Sequence, residues 1–313
     1  MVKLTRNSYI KIALIALLCL AICTSLGRCS TYATCETGSG RMAPAAPSAP
    51  SAPNTPALAD TISFDAEVSR QEVNPLDARS LCIQWAAGRV TVQTAPDSEN
   101  NGMIVVAERT SASAKRFQPL RMEVADGMLS ITSGETIWNP WWGCSSLASK
   151  ALEVTIPESA AAKLELVEVD GASGTYNLAG FSCKQLSVAL ASGMLETSDI
   201  TAQNLHTDIA SGQVQFRGSF PQSLDVTVAS GSLAITDTGD TFPQRIDADI
   251  MSGNVTLALA PEGGFTADVD RLSGNFSCGY ASSQQNGRYI YGDGKSEVEI
   301  TLTSGNMELI PHS

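Results

Sequence analysis

The sequence predicts an all-β fold, and within that class a parallel β-solenoid: a single-stranded, β-helix-like roll with coils of about 19 residues. Three observations carry this. Ala-Ser-Gly recurs at 172–174, 191–193, 210–212 and 229–231, three equal intervals of 19 residues, and Met251-Ser252-Gly253, Leu272-Ser273-Gly274 and Thr303-Ser304-Gly305 continue the series at looser spacing. Two residues beyond each glycine stand Tyr176, Leu195, Val214, Leu233, Val255, Phe276 and Met307, an aligned apolar column. Before the glycine, Leu186-Val188-Leu190, Leu205-Thr207-Ile209, Leu224-Val226-Val228 and Ile246-Ala248-Ile250 occupy alternate positions. Period two is the signature of a strand with one buried and one wet face.

Each repeat therefore reads as a strand, a Ser-Gly corner, a second strand and a turn. The glycine permits a backbone conformation or close approach that a side chain would hinder. The corner serines are expected to satisfy backbone groups. One repeat cannot bury its own apolar face, whereas a parallel stack about 4.8 Å apart builds a continuous core. An antiparallel meander fits less well, because the same corner recurs in every repeat. Stacking in chain order is expected, which sets Cys278 beside Leu257 of the preceding coil.

The amino-terminal elements are of another kind. Lys3, Arg6 and Lys11 precede an apolar stretch from Ile12 to about Leu26, so residues 1–33 read as an export signal or an amino-terminal membrane anchor. Cleavage after Ala33 or Gly27, retention through residues 12–26, and lipidation at Cys23 or Cys29 compete, the last disfavoured by Ile22 and Arg28. Residues 34–60 form a Pro/Ala/Ser-rich linker, extended and semi-rigid. Residues 61–313 form the β-repeat domain. In its first part Leu81, Ile83 and Trp85 precede Gly88 and Val90 and Val92 follow it, Gly127 is followed by Leu129 and Ile131 on the same offsets, and Leu152-Glu153-Val154-Thr155-Ile156-Pro157 alternates. Terminal repeats that cap an open edge are expected to be atypical.

Composition excludes several functions. The 313 residues hold 20 Lys+Arg, 32 Asp+Glu and only 2 His, for a net charge of −12. Five of the basic residues but only Glu36 and Asp60 of the acidic ones lie before residue 61, so the domain is more acidic still. Such a body repels a phosphate backbone, and nucleic acid is not an expected partner. His206 falls between inward positions and should face solvent; without a G-x-S-x-G elbow, serine hydrolysis is not supported. The spacing C-x-x-C is absent, so no metal and no cofactor are expected. Disulfides among Cys82, Cys144, Cys183 and Cys278 allow three pairings, with Cys278 as a buried free thiol an equal alternative.

Two features offer binding chemistry. Six residues before successive corner glycines stand Glu168, Ser187, His206, Asp225, Asp247, Asp268 and Glu299; four before stand Asp170, Ala189, Asp208, Thr227, Asp249, Asp270 and Thr301. Stacked in register, Asp225, Asp247, Asp249, Asp268 and Asp270 form an acidic stripe suited to a cation or cationic partner, or a solvated face that resists aggregation. No cleft is expected there. Trp138, Trp141 and Trp142 lie in a turn-like stretch, able to meet a ligand or to plug the end of the roll.

The Gly-Val strands, the Leu152–Pro157 strand and the seven Ser-Gly-x-apolar corners ending in Thr303-Ser304-Gly305-Asn306-Met307 resemble the bacterial putative adhesin family of β-strand-repeat domains of unknown function, over roughly residues 80–310. The resemblance implies an envelope or surface protein, membrane-anchored, at the cell surface or secreted. It assigns no catalytic residues, so none are carried over. The expectation is an exported, envelope-associated binding or structural module, adhesin-like and not an enzyme, whose unknown envelope or surface ligand is cationic. The alternatives are an envelope-stress sensor or regulator and, less favoured, a polysaccharide-active enzyme.

Overall fold

A computed structural model describes residues 66–110, 120–133, 150–285 and 287–312. The proposed signal, the linker, Trp138, Trp141, Trp142 and Cys144 lie outside the described residues. The described chain is all-β. Its strands are β1 (Ala66–Val73), β2 (Ser80–Trp85), β3 (Arg89–Ala95), β4 (Ile104–Thr110), β5 (Arg121–Ala125), β6 (Met128–Thr132) and β7 (Lys150–Pro157). The regular repeats follow as pairs: β8 (Leu164–Gly171) and β9 (Thr175–Ala179), β10 (Ser182–Leu190) and β11 (Met194–Ser198), β12 (Ile200–Ile209) and β13 (Gln213–Ser219), β14 (Ser223–Val228) and β15 (Ser232–Asp237). Then come β16 (Arg245–Ile250), β17 (Asn254–Leu259), β18 (Phe265–Arg271), β19 (Asn275–Cys278), β20 (Ser283–Gln285), β21 (Arg288–Tyr291), β22 (Ser296–Leu302) and β23 (Asn306–Pro311).

The strands before each corner pair in parallel with one another, as do the strands after it. The first ladder runs β6, β2, β8, β10, β12, β14, β16, β22, β18, with residue-for-residue register such as Leu186↔Leu205↔Leu224↔Ile246. The second runs β7, β3, β9, β11, β13, β15, β17, β23, β19. Antiparallel strands finish the ends: β5 on β6, β21 and β20 beyond β18, and β4 then β1 beyond β7. The inward residues of both ladders form one core in which Leu186, Ile246, Tyr176, Leu257 and Leu309 are fully buried.

The corners explain the register. Inside the stack, a corner glycine's carbonyl accepts the amide of the first residue of the neighbouring pair's second strand, as in Gln213 to Gly193 at 2.9 Å and Ser232 to Gly212 at 2.9 Å. The stacked backbones leave no room for a Cβ: at Gly212, with φ +133°, it would lie 2.5 Å from the Gly193 oxygen. The serine hydroxyls were the expected partners of this backbone, and at the repeated corners they are not. Glycine carbonyls do that work, while Ser133 alone accepts a corner amide, from Ala86 at 3.3 Å, among the described residues.

Stacking does not follow chain order at either end. β22 and β23, the last pair in the chain, slot between β16–β17 and β18–β19. Two asparagine bonds mark the same order, Asn306 Nδ2 to Asn254 Oδ1 at 2.8 Å and Asn275 Nδ2 to Asn306 Oδ1 at 3.1 Å. Cys278 accordingly sits beside Leu309 rather than Leu257. At the other end β2 and β3 lie between β6–β7 and β8–β9. Gly127 is not a corner: with Asp126 at φ 52° and Gly127 at φ 78° it turns the β5–β6 hairpin. Such paired positive φ values suit a right-twisted two-residue turn.

Aromatic side chains close one end. Tyr289 packs on Phe276 at 5.2 Å and Tyr291 on Tyr280 at 4.8 Å, covering the core beyond β18 and β19. The outermost β1 carries charges and a bulge between Glu67 and Ser69, which discourages pairing with another chain. Cys82, Cys183 and Cys278 are free thiols, so no bridge joins these three. Burial, then Glu168 and Asp170, pushes the Cys82 thiol up to about 11, and burial pushes Cys183 up to about 12, so neither is a thiolate at neutral pH.

Candidate functional site

The outward positions of the first ladder carry the charge. Because side chains alternate across a strand, every second residue of β8, β10, β12, β14, β16, β22 and β18 lies on this one outer surface. Asp225, Asp247, Glu299 and Asp268 occupy directly paired positions on β14, β16, β22 and β18. The expected stripe is there, but in a different order. Glu299 stands between Asp247 and Asp268, which the chain-order reading had made neighbours. In the next column Asp249 and Asp270 are separated by Thr301, and Asp208 and Asp249 by Thr227. Four carboxylates thus stand about 4.8 Å apart in line, an arrangement in which directly opposed like charges destabilise the sheet.

Cations border the line. At one end His206 Nδ1 meets Asp225 Oδ2 at 3.1 Å and Nε2 meets Asp208 Oδ2 at 3.2 Å. An imidazole facing a carboxylate on each nitrogen can satisfy both only by donating from both, as imidazolium. The Asp208 bond first, and the Asp225 bond next, raise the His206 pKa from 6.5 to about 10. The sign follows: stability from this group is complete below about 6.5 and is lost as pH rises through about 10. We therefore expect wild-type melting temperature to fall relative to His206→Asn between pH 6.5 and 10, and the imidazole NMR signals to stay in their charged positions at pH 8. At the other end Arg288 reaches Asp268 at 3.1 Å, and within the line Arg245 lies 3.6 Å from Asp247.

The face also has relief. The β20–β21 hairpin and the segment after it wall a polar groove of about 540 Å³ over β16, β22 and β18. It is lined by Asp268, Asp270 and Glu299 opposite Arg245, Arg288 and Lys295. No cleft was expected beside Asp268 and Asp270, because the hairpin lacks a corner motif and gave no sign that it returns to this face. Arg288 and Lys295 were missed for the same reason. Asp225, Asp247 and Asp249 lie outside the groove on the flatter part of the stripe. Among the described residues, no group of three or more His, Cys, Asp or Glu side chains is placed to hold a metal ion. Among them, too, no helix is long and apolar enough to cross a membrane.

A family model places this architecture. Residues 80–309 match the Toastrack DUF4097 family, and the chain belongs to it. No curated protein matches the chain. Among solved structures it is similar to a putative adhesin from Bacteroides fragilis, with 11% identity, a TM-score of 0.44, and coverage of 79% of this chain and 98% of that one. It is similar also to a putative cell adhesion protein from Clostridium sporogenes, with 12% identity, a TM-score of 0.37, and coverage of 79% and 100%. A third is a putative lipid binding protein from Parabacteroides distasonis, with 15% identity, a TM-score of 0.38, and coverage of 77% and 96%.

Proposed function

We propose that the protein is an exported, envelope-associated binding module of adhesin type, whose acidic face engages a cationic protein partner. The two parallel ladders and their glycine corners are the flanks and edge of a β-solenoid that presents this face as a rigid surface. The observation that carries the reading is the unbroken line of Asp225, Asp247, Glu299 and Asp268. Like charges directly opposed across strands cost stability, and a solvated surface needs no such alignment. The basic-flanked apolar segment at residues 12–26 supports export and, where retained, membrane attachment. The module is not an enzyme: its work is recognition, with charge complementarity supplying orientation and on-rate.

The test captures partners from envelope extract on the full chain, at about 0.15 M and about 1 M salt, where the screening length falls from about 8 to 3 Å. Partners released by salt, and lost from Asp225→Asn/Asp247→Asn/Glu299→Gln/Asp268→Asn, are the expected result. Partners held equally at both salts and by that variant would overturn the acidic-face reading.

A further inference from the structure

A second concavity lies on the same ladder, toward the corner edge and away from the carboxylate line. It has a volume of about 420 Å³. Its floor is apolar and built from small residues: Ala189 on β10, with Ala172, Ala191 and Ala210 along the corners. Ala189 pairs with Asp170 of β8 on one side and Asp208 of β12 on the other. One missing side chain between two carboxylates makes the well, about two strand spacings or ~10 Å across.

Its rim is already oriented. Gln84 Nε2 donates to Asp170 Oδ2 at 3.5 Å, and His206 holds Asp208 Oδ2 at 3.2 Å. Each carboxylate keeps acceptor capacity beyond that one bond, since it offers about four lone-pair sites. An apolar floor with two fixed anionic walls is the form of a specific pocket rather than of a solvated face.

We propose that this well receives a lysine side chain of the partner protein, its methylene stem on the alanine floor and its ammonium between Asp170 and Asp208. The proposal rests on the reading of this surface as the binding face, but on different residues. Charge complementarity chooses the occupant. A neutral apolar group would leave two carboxylates desolvated, and an anion would be repelled. An ammonium is a point charge with three rotatable donors and can serve two carboxylates on opposite walls. A guanidinium fork favours both oxygens of one. The stem covers the alanines as long cationic side chains cover apolar surface elsewhere.

The test uses the full chain with labelled alanine methyl groups, titrated with Nα-acetyl-lysine methylamide. Saturable shifts at Ala189, Ala191 and Ala210 are expected, with a dissociation constant on the order of millimolar for so small a probe. The norleucine analogue, which lacks only the ammonium, should shift them at least tenfold more weakly. Ala189→Leu, which fills the well, and Asp170→Asn/Asp208→Asn, which keeps its shape, should each weaken the lysine probe at least tenfold. Flat titrations, equal binding of norleucine, or lysine binding indifferent to both variants would overturn the proposal. A flat titration beside salt-sensitive capture of envelope partners removes the well and leaves the carboxylate line. Saturable lysine binding beside salt-insensitive capture does the reverse.

Discussion

Leu233→Asp is expected to abolish folding of the repeat domain, and Ala234→Asp, one residue on, to leave it folded. Leu233 is 1% exposed on β15, stacked between Val214 of β13 and Val255 of β17. A carboxylate there either loses several kilocalories per mole to desolvation or binds a proton and still leaves its polar atoms unpaired. The stack multiplies the effect, because each repeat derives its stability from its neighbours. Ala234 points outward on the same strand and is only half-buried. The pair of variants therefore reads the period-two register directly, since a slip of one residue exchanges the two faces. Circular dichroism and melting of the two proteins check it: a folded Leu233→Asp domain of unchanged melting temperature would contradict the register.

That register was legible in the sequence because the repeats report it many times over. Corner glycines 19 residues apart align Tyr176, Leu195, Val214 and Leu233 in the sequence as the ladders align them in space. The order of stacking was not legible, and the reason is the same uniformity. Ile246 packs against Val298 and would have accepted Ala267; Asn254, Asn306 and Asn275 are one residue type at one position. Inward residues that suit any neighbour cannot say which neighbour they have. Only the span from Cys278 to Ser296, which has no corner, leaves room for the excursion that lets the last repeat enter between its predecessors. The acidic stripe was readable for the corresponding reason, as a column of offsets from the glycines, while its groove depended on Arg288 and Lys295 from outside the repeat. The alanine well had a signal: Asp170, Ala189 and Asp208 at one offset in successive repeats spell a gap between two charges.

The amino-terminal end holds a feature that no repeat announces. Glu108 on β4 and Lys150 at the start of β7 meet at 2.8 Å, their side chains 0% and 6% exposed, and Glu108 also accepts the Leu120 amide at 2.9 Å. The two residues lie 42 positions apart in strands that carry no corner motif, so nothing in the spacing pairs them. Once paired, they join β4 antiparallel to β7, and β4 in turn carries β1. Lys150→Met keeps the stem and removes the charge, leaving a buried carboxylate without its cation. The expected cost is about 3–5 kcal/mol, because desolvation is no longer offset by the partner. Glu108→Leu/Lys150→Met removes both charges and should recover most of that loss, since an apolar replacement of a buried pair is often neutral. Denaturant unfolding of the wild type, both single variants and the double variant closes the cycle. Equal destabilisation in the single Lys150→Met and the double variant would mean that Lys150 acts through packing and not through its charge.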